Sequence, residues 1–454
     1  MASTLEQLAA FIATTEFEQL PSSLVEQAKL HLLDTFGASL AGTDSAIWRD
    51  CFALVSEEGG KAQSVVWGSA EQFSPRQAAW LNGVAAHMYE LDDTGGCDHS
   101  GAVVLPALLA ALPLATHPVE GRALIVAMVI GYDVGRRVLE ACGGYSAHNG
   151  AGWHSTASCG VFGAAAAVCS LLQLDRQQCA SALGIAASFS GGLWGFIHDG
   201  SHTKKLHAAR AAEGGVQAAL LAQRGINGPS AVFEAKWGGF LQTLAPETQQ
   251  PAALTADLGS VWKLARCSIK PYASCRGTHA AIDALGILLS QHQVHVEHIE
   301  RIVVGLNPFL LDMCGGRELQ SLASAQMSLP YALAARALYG SAELGSYDDA
   351  KRLHPQVVEF MTRIMLEIDE QQSRDDEPWV RIETQQGEQW QHHVAVASGA
   401  PANPLSLESL LAKYRSLAAR VLPLEQVEQL ETICLDLDDV ADVREVISLL
   451  RQSA

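Results

Sequence analysis

Residues 22–40 read SSLVEQAKLHLLDTFGASL, with apolar side chains at three- and four-residue steps from Leu24 to Leu40. That spacing predicts an amphipathic helix, and Ser22-Ser23 offers it a cap. The same texture recurs through Gln77–Leu91, Val104–Leu114, Arg122–Cys142, Ser155–Leu174, Arg176–Ser188 and Thr203–Arg224. Breaks such as Gly225-Ile226-Asn227-Gly228-Pro229 separate these helices. No strand leads through a Gly-rich loop into a helix, so a Rossmann or P-loop site is not supported.

After Trp262 the texture changes. His298–Leu306 (HIERIVVGL) is rich in β-branched residues and predicts a strand, as does Arg363–Ile368. Trp379–Gln385 and Gln389–Val396 alternate in polarity around Gly387, which predicts a hairpin. Helices are expected at Gly277–Ser290, Ala325–Leu338 and Pro355–Thr362, and Gln371–Pro378 (QQSRDDEP) reads as a solvated loop. From Leu405 the helical pattern returns. The expected fold is mainly α with an α+β part. A helical domain covers residues 1–265 and is completed by 400–454; a smaller α+β domain covers 266–399.

Apolar residues make up 48% of the 454 and charged residues 17%, which describes a packed chain rather than a disordered one. Aromatics are sparse and alanine and glycine abundant, so helices are expected to pack closely through small side chains. The net charge of −19 opposes nucleic-acid and anionic-lipid binding. The apolar stretch Gly101–Thr116 carries Pro106 and Pro113 and is too short to span a bilayer. The first twenty residues lack a basic segment followed by an apolar core. The ten cysteines form no C-x-x-C pair. A reduced, cytoplasmic setting is expected.

Four segments hold chemistry. In the first, His87, Glu90, Asp92, Asp93, Thr94, Asp98 and His99 crowd the end of one helix and the start of the next. Three readings stand: a divalent metal site, a capped turn, or an acid/base site in which a carboxylate orients a histidine. The spacing fits neither a zinc pattern nor an EF-hand loop, and acid/base chemistry is preferred. In the second, His154 follows glycines at the start of an Ala-rich helix, where unpaired N–H groups favour an anion. In the third, Thr203 is a candidate cap for a helix with Lys204 in its first turn and His207 on the same face. Cations there oppose the helix dipole, so an anionic ligand is expected to compensate. The fourth runs Lys270, Cys275, Arg276, His279. Cys275 reads as small packing or a thiol facing substrate. Together these segments suit proton transfer beside a bound polycarboxylate.

The runs AHMYELDDT (86–94), HSGAVVLPALLA (99–110), GWHSTASCGVFGAAAA (152–167), ALGIAASFSGGLWGF (182–196), TKKLHAARAAEGG (203–215), KPYASCRGTHAAID (270–283) and AQMSLPYALAARAL (325–338) resemble the MmgE/PrpD family. Its members dehydrate 2-methylcitrate, decarboxylate cis-aconitate or epimerise iminodisuccinate. The resemblance implies a large helical domain with a smaller α+β lid, a homodimer, no metal and no organic cofactor. It implies a site between the domains for a small carboxylate substrate, and a lyase, with an epimerase or an inactive binding protein as alternatives. Carried over, the decarboxylase-like pattern points to Asp93, Thr94, His99, His154, Lys204 and the cysteine or histidine of Cys275–His279. The epimerase-like pattern adds Tyr145. His207, Lys270 and Arg276 complete the expected substrate contacts. Three departures bear on the substrate: Glu90 in place of an aspartate, Ser100-Gly101 after His99 without a proline, and Lys205 in place of a proline.

Overall fold

A computed structural model describes residues 2–452. The first part of the chain is a helical body. Its principal helices are α1 (Ser22–Gly42), α2 (Pro75–Ala86), α3 (Gly101–Ala111), α4 (Gly121–Ala141), α5 (Gly160–Leu171) and α6 (Thr203–Gln223). Helix α3 carries no charged residue, and every one of its residues is buried. It lies among α2, α5 and α6, which close around it. A helix apolar on all sides has to occupy such a central place.

Small residues set how close the helices come. A Cβ on Gly163 of α5 would lie 2.5 Å from the Gly131 carbonyl oxygen of α4. One on Gly83 of α2 would lie 2.7 Å from the Ala209 Cα of α6. These contacts involve backbone atoms, which cannot step aside as a side chain can. Ser22 is the first helical residue of α1 and Pro21 its cap position, with no side-chain cap bond, so the expected serine cap is not made. The proline's fixed φ starts that helix instead. A short antiparallel hairpin, β1 (Ser64–Val65) and β2 (Gln72–Phe73), lies outside the helical pattern read from sequence.

The second part holds a mixed four-stranded sheet and its helices. Its strands are β3 (Ile299–Leu306), β4 (Ile364–Ile368), β5 (Trp379–Thr384) and β6 (Gln389–His393), in spatial order β4-β3-β5-β6. The strand β3 pairs parallel with β4 (Val304 opposite Leu366) and antiparallel with β5 (Val304 opposite Val380). The residues Ile299, Ile302, Val304 and Leu306 are fully buried in the core shared with helices α7 (His279–Gln291), α8 (Pro308–Cys314) and α9 (Leu329–Tyr339). The expected helix Ala325–Leu338 is two pieces. Its break falls at Ser328, whose hydroxyl accepts from the Tyr331 N–H and starts a new helix with Pro330 in its first turn.

Two further helices, α10 (Leu407–Ala418) and α11 (Leu424–Leu435), return to the body and join the core of α1–α6 through Leu410, Tyr414 and Leu430. Tyr414 lies against Gly37 of α1, and Lys413 reaches Asp34 at 2.6 Å. Ala38, Ala41 and Leu91 of the body and Leu417 of α10 also belong to the core of the sheet part, so the two cores meet there. Among the described residues no helix is long and apolar enough to cross a membrane.

The close α4–α5 contact carries a direct expectation. Gly163→Ala gains helix propensity, roughly 1 kcal/mol, yet drives a methyl into a backbone carbonyl. Overpacking of this kind costs about 1–3 kcal/mol. A net fall in the urea midpoint without a change in slope is expected, and a rise would contradict the contact.

Candidate active site

Helix α2 stops at Ala86, five residues short of the predicted end at Leu91. The chain from His87 to Ser100 turns back on itself, and Glu90 (φ 56°) and Asp98 (φ 115°) take positive φ. Such angles are costly for side-chain-bearing residues and persist where the surroundings enforce them. Both carboxylates line a cavity of about 640 Å³ between the helical body and the sheet part. Thr94, His99, Tyr145 and Lys204 line it from the body, and Cys275 and Arg276 from the other side.

Glu90 is the hub of the floor. It is 1% exposed, and its Oε1 lies 2.7 Å from both Lys204 Nζ and Lys205 Nζ, with Lys270 Nζ 3.5 Å from Oε2. Burial alone would raise the Glu90 carboxyl, but the three ammonium groups hold it well below the usual range. Burial and neighbouring Lys204 lower Lys205 to about 8, against the pull of Glu90. Thr203 is the first residue of α6 rather than its cap. His202 takes the cap position without a side-chain bond. The cation at the helix start is therefore compensated by the protein's own Glu90.

Two histidines stand beside this floor in opposite surroundings. His99 Nδ1 lies 2.8 Å from Asp92 Oδ2, and its Nε2 lies 3.6 Å from Asp98 Oδ2. Burial opposes the charge, yet Asp98 and Asp92 raise the His99 pKa above 6.5. His154 Nδ1 meets His207 Nδ1 at 2.9 Å, and its Nε2 lies 3.8 Å from the same Asp98 oxygen. Burial, followed by the positive field of His207 and Lys204, holds His154 well below 6.5. The surroundings thus favour the charged ring at His99 and the neutral ring at His154, the division of labour an acid and a base require. Thr94 Oγ1 donates to Asp98 Oδ1 at 3.0 Å, fixing the carboxylate between the two rings. Burial and Asp98 raise the Tyr145 phenol well above 10, so it stays a donor.

Several expected residues sit elsewhere. Asp93 turns away from the cavity: its oxygens accept from the Gly101 N–H (2.8 Å) and Tyr132 hydroxyl (2.6 Å) and lie 3.0 Å from His31 Nδ1. It anchors the start of α3, while its neighbour Asp92 serves His99. His279 is buried behind the wall, with Nε2 3.3 Å from the Ser274 carbonyl and its ring edge-on to Tyr272. His207 reaches the site through His154, and Lys270 through Glu90.

Other residues join the site beyond the expected catalytic and substrate contacts. His87 Nδ1 lies 3.1 Å from both Asp92 oxygens, and its Nε2 has no hydrogen-bond partner. The loop 371–378, expected to be solvated, brings Arg374 and Glu377 to the cavity. Glu377 pairs with Arg276 at 2.8 Å, and Arg374 lies over the Phe309 ring at 3.8 Å. A run of mixed charge carries no sign of what it faces.

His87, His99 and His154 offer ring nitrogens within 4.8 Å of one another and could hold a metal; Cys142, His148 and Cys159 form a second such group. The carboxylates beside His99 favour a proton on its ring, which opposes metal ligation there.

Residues 6–252 match the MmgE/PrpD N-terminal domain and residues 272–439 the MmgE/PrpD C-terminal domain. The chain belongs to the MmgE/PrpD family. It is 29% identical over 472 residues to a cis-aconitate decarboxylase-like protein, oryM, of Aspergillus oryzae, covering 98% of this chain and 96% of that one. It is 28% identical to the cis-aconitate decarboxylase of Aspergillus terreus, covering 95% and 93%. To that of Homo sapiens it is 27% identical, covering 99% and 95%. Relatives of this kind, matched over nearly their whole length, support a lyase-type activity for this member of the family.

Two variants probe the floor. Glu90→Gln leaves three buried ammonium groups without their anion. Breaking such a cluster costs about 3–5 kcal/mol, read as a lower denaturation midpoint; an unchanged midpoint would contradict the ion cluster. His87 is held at about 3 by burial, against the pull of Asp92. Its folded pKa lies below the unfolded value, so unfolding takes up a proton below pH 6.5 and stability falls as pH falls. That term is about 1.4 kcal/mol per pH unit. His87→Gln is expected to flatten the stability curve between pH 6.5 and 4.5 by that slope, measured by denaturant titration at several pH values.

Proposed function

We propose that this chain is a cofactor-free carboxy-lyase acting on a small tricarboxylate of the cis-aconitate type. The observation that carries this reading is the placement of two histidines, His99 between Asp92 and Asp98 and His154 against His207, beside the Lys204–Lys205–Lys270 cluster. One substrate carboxylate lies against the lysine floor, whose three ammonium groups exceed the single Glu90 charge. A second carboxylate, pointing away from the lysines, leaves as carbon dioxide. The C–C bond breaks, and its electron pair moves through the conjugated double bond toward the carboxylate on the floor. Preorganised ammonium groups stabilise that developing charge. His99 Nε2, on the cavity side of the ring, delivers its proton to carbon and is recharged from solvent. Asp92 holds His99 in orientation through Nδ1. His154 is the neutral acceptor beside it, and Tyr145, also on the helical-body side of the cavity, is a donor.

Proton NMR in deuterium oxide over cis-aconitate, 2-methylcitrate and iminodisuccinate tests this reading. Loss of cis-aconitate with carbon dioxide release and one deuterium in the product is expected. Dehydration of 2-methylcitrate, or deuterium exchange into iminodisuccinate without net loss, would replace the decarboxylase reading. His99→Gln is expected to lower turnover by about 10²–10⁴. Activity falls as pH rises, because His99 loses its proton above its raised pKa and Lys205 loses charge near 8. In Lys205→Arg the cation persists, and an alkaline limb that persists in it belongs to His99.

A further inference from the structure

The loop 371–378 of the sheet part meets the turn before α7 through one ion pair. Glu377 Oε1 lies 2.8 Å from Arg276 Nη2, and both partly exposed side chains line the cavity. The loop backbone is held from more than one direction. The Asn307 amide donates to the Arg374 carbonyl at 3.5 Å and to the Asp376 carbonyl at 3.3 Å, and His393 Nε2 lies 3.1 Å from the Glu377 carbonyl. The other two acids of the loop are engaged by neutral donors. Asp375 Oδ1 accepts from the Ser146 hydroxyl of the helical body at 3.3 Å, and Asp376 Oδ2 accepts from the Ser373 N–H at 2.6 Å. Glu377 alone is spent on a cation of the cavity wall.

Arg276 differs from the other cations of the cavity. Lys204 is fixed by the buried Glu90 at 2.7 Å. Arg136 and Arg266 share Glu140 at 2.9 and 3.1 Å, and Arg136 also donates to the Gly96 carbonyl. The Arg276 side chain uses one nitrogen on one carboxylate oxygen and makes no other hydrogen bond among the described residues. A guanidinium carries five N–H donors in a fork that grips a carboxylate with two at once. Most of that capacity is unused here. Arg374, on the same cavity, lies over the Phe309 ring and pairs with no carboxylate among the described residues.

We propose that Arg276 recognises the substrate carboxylate that does not rest on the lysine floor, and that Glu377 is a resident carboxylate which the substrate replaces. The inference rests on the reading of the substrate as a small tricarboxylate bound at that floor. In that reading one carboxylate faces the lysines and one leaves, so the third needs a cation of its own. Exchanging one carboxylate for another keeps the Arg276 charge answered throughout. Only the Glu377 side chain has to turn, since its backbone is held, and residues 373–376 beside it are exposed to solvent. An ion pair this open adds little to stability, so breaking it costs the fold little. A dicarboxylate that fills the floor alone leaves the pair closed. The pair therefore sorts ligands by whether they carry a carboxylate that reaches Arg276.

Isothermal titration calorimetry of the full chain tests the site without turnover. The ligands are tricarballylate, a saturated tricarboxylate without the double bond that the proposed decarboxylation uses, and methylsuccinate and glutarate, which each lack one of its carboxylates. Wild-type protein is expected to bind tricarballylate at least about tenfold more tightly than either dicarboxylate, the worth of one hydrogen-bonded charge. Arg276→Gln is expected to erase that preference and leave the dicarboxylate affinities unchanged. Glu377→Gln removes the competing anion and is expected to tighten tricarballylate binding severalfold, again with the dicarboxylates unchanged. A variant that merely loosens the wall cannot bind more tightly, so the second variant separates recognition from damage. Equal weakening of all three ligands in Arg276→Gln, unchanged or weaker tricarballylate binding in Glu377→Gln, or a wild type without preference would overturn the inference. The lyase reading fails separately. If the preference and both variant effects hold while cis-aconitate is not decarboxylated, the Arg276 site stands and the carboxy-lyase does not. Wild-type protein that binds none of the three ligands overturns both.

Discussion

The carboxylate of Glu90 is the constraint on which the site depends. It is buried, carries a left-handed backbone angle, and faces three ammonium groups. Two of these come from the start of α6 in the helical body. The third, Lys270, comes from the segment that crosses into the sheet part. Lys205 also donates to Gln326 Oε1 at 3.2 Å, a residue of that second part. One anion thus ties both walls of the cavity to a common point. Burying these charges is costly, and the cluster is better understood as fixing geometry than as adding stability. Two of the three departures from the family pattern are its members: Glu90 and Lys205 touch at 2.7 Å. Each supplies a partner that makes the other tolerable in a dry interior.

A second level of control sits on the histidines. His99 and His154 share Asp98 as a neighbour, yet their pKa values are pushed in opposite directions. The difference lies on the far sides of the rings. Behind His99 stands the Asp92 carboxylate, and behind His154 stands the His207 imidazole beside the lysine field. Asp92 also receives His87, so one carboxylate orients two rings. The positive φ of Asp98 and its hydrogen bond from Thr94 keep the shared carboxylate from swinging to either side. Strain at such positions is tolerated where the surrounding fold over-determines it. The rigid helical body, packed backbone to backbone at Gly131–Gly163 and Gly83–Ala209, is that surrounding.

Periodicity made the helices legible. Their apolar faces repeat over many residues, while their ends erred by up to five residues, as at α2. The sheet was legible from β-branched runs, and the hairpin from alternation around Gly387. Placement was partly legible: His99 and Lys204 line the cavity, and His154 lies buried behind it, its Nε2 3.8 Å from the lining residue Asp98. What sequence spacing could not carry was direction. Asp92 and Asp93 are adjacent, and only the turn of the chain sends one to His99 and the other to the start of α3. Nor could it carry long-range pairing: Glu90 and Lys270 are 180 residues apart. The loop 371–378 reads as solvated and is largely exposed, yet sequence could not show that Glu377 pairs with Arg276 across the cavity mouth.

The lysine at the start of α6 illustrates how a correct local argument can lead to an incomplete conclusion. A cation in a first helical turn opposes the dipole, and an anion must answer it. The expectation of an external ligand follows only if the protein supplies none. Glu90 supplies one, with both Lys204 and Lys205 within 2.7 Å of a single oxygen. The site is therefore not an empty cationic socket that a substrate fills. On the proposed function, a substrate carboxylate shares the ammonium groups with Glu90, entering a cluster whose three cations outnumber its one anion. Sharing keeps the lysines ordered and dehydrated before substrate arrives, so little reorganisation remains to be done when charge develops. The same arrangement penalises a neutral ligand, which would cover the ammonium groups without answering their excess charge.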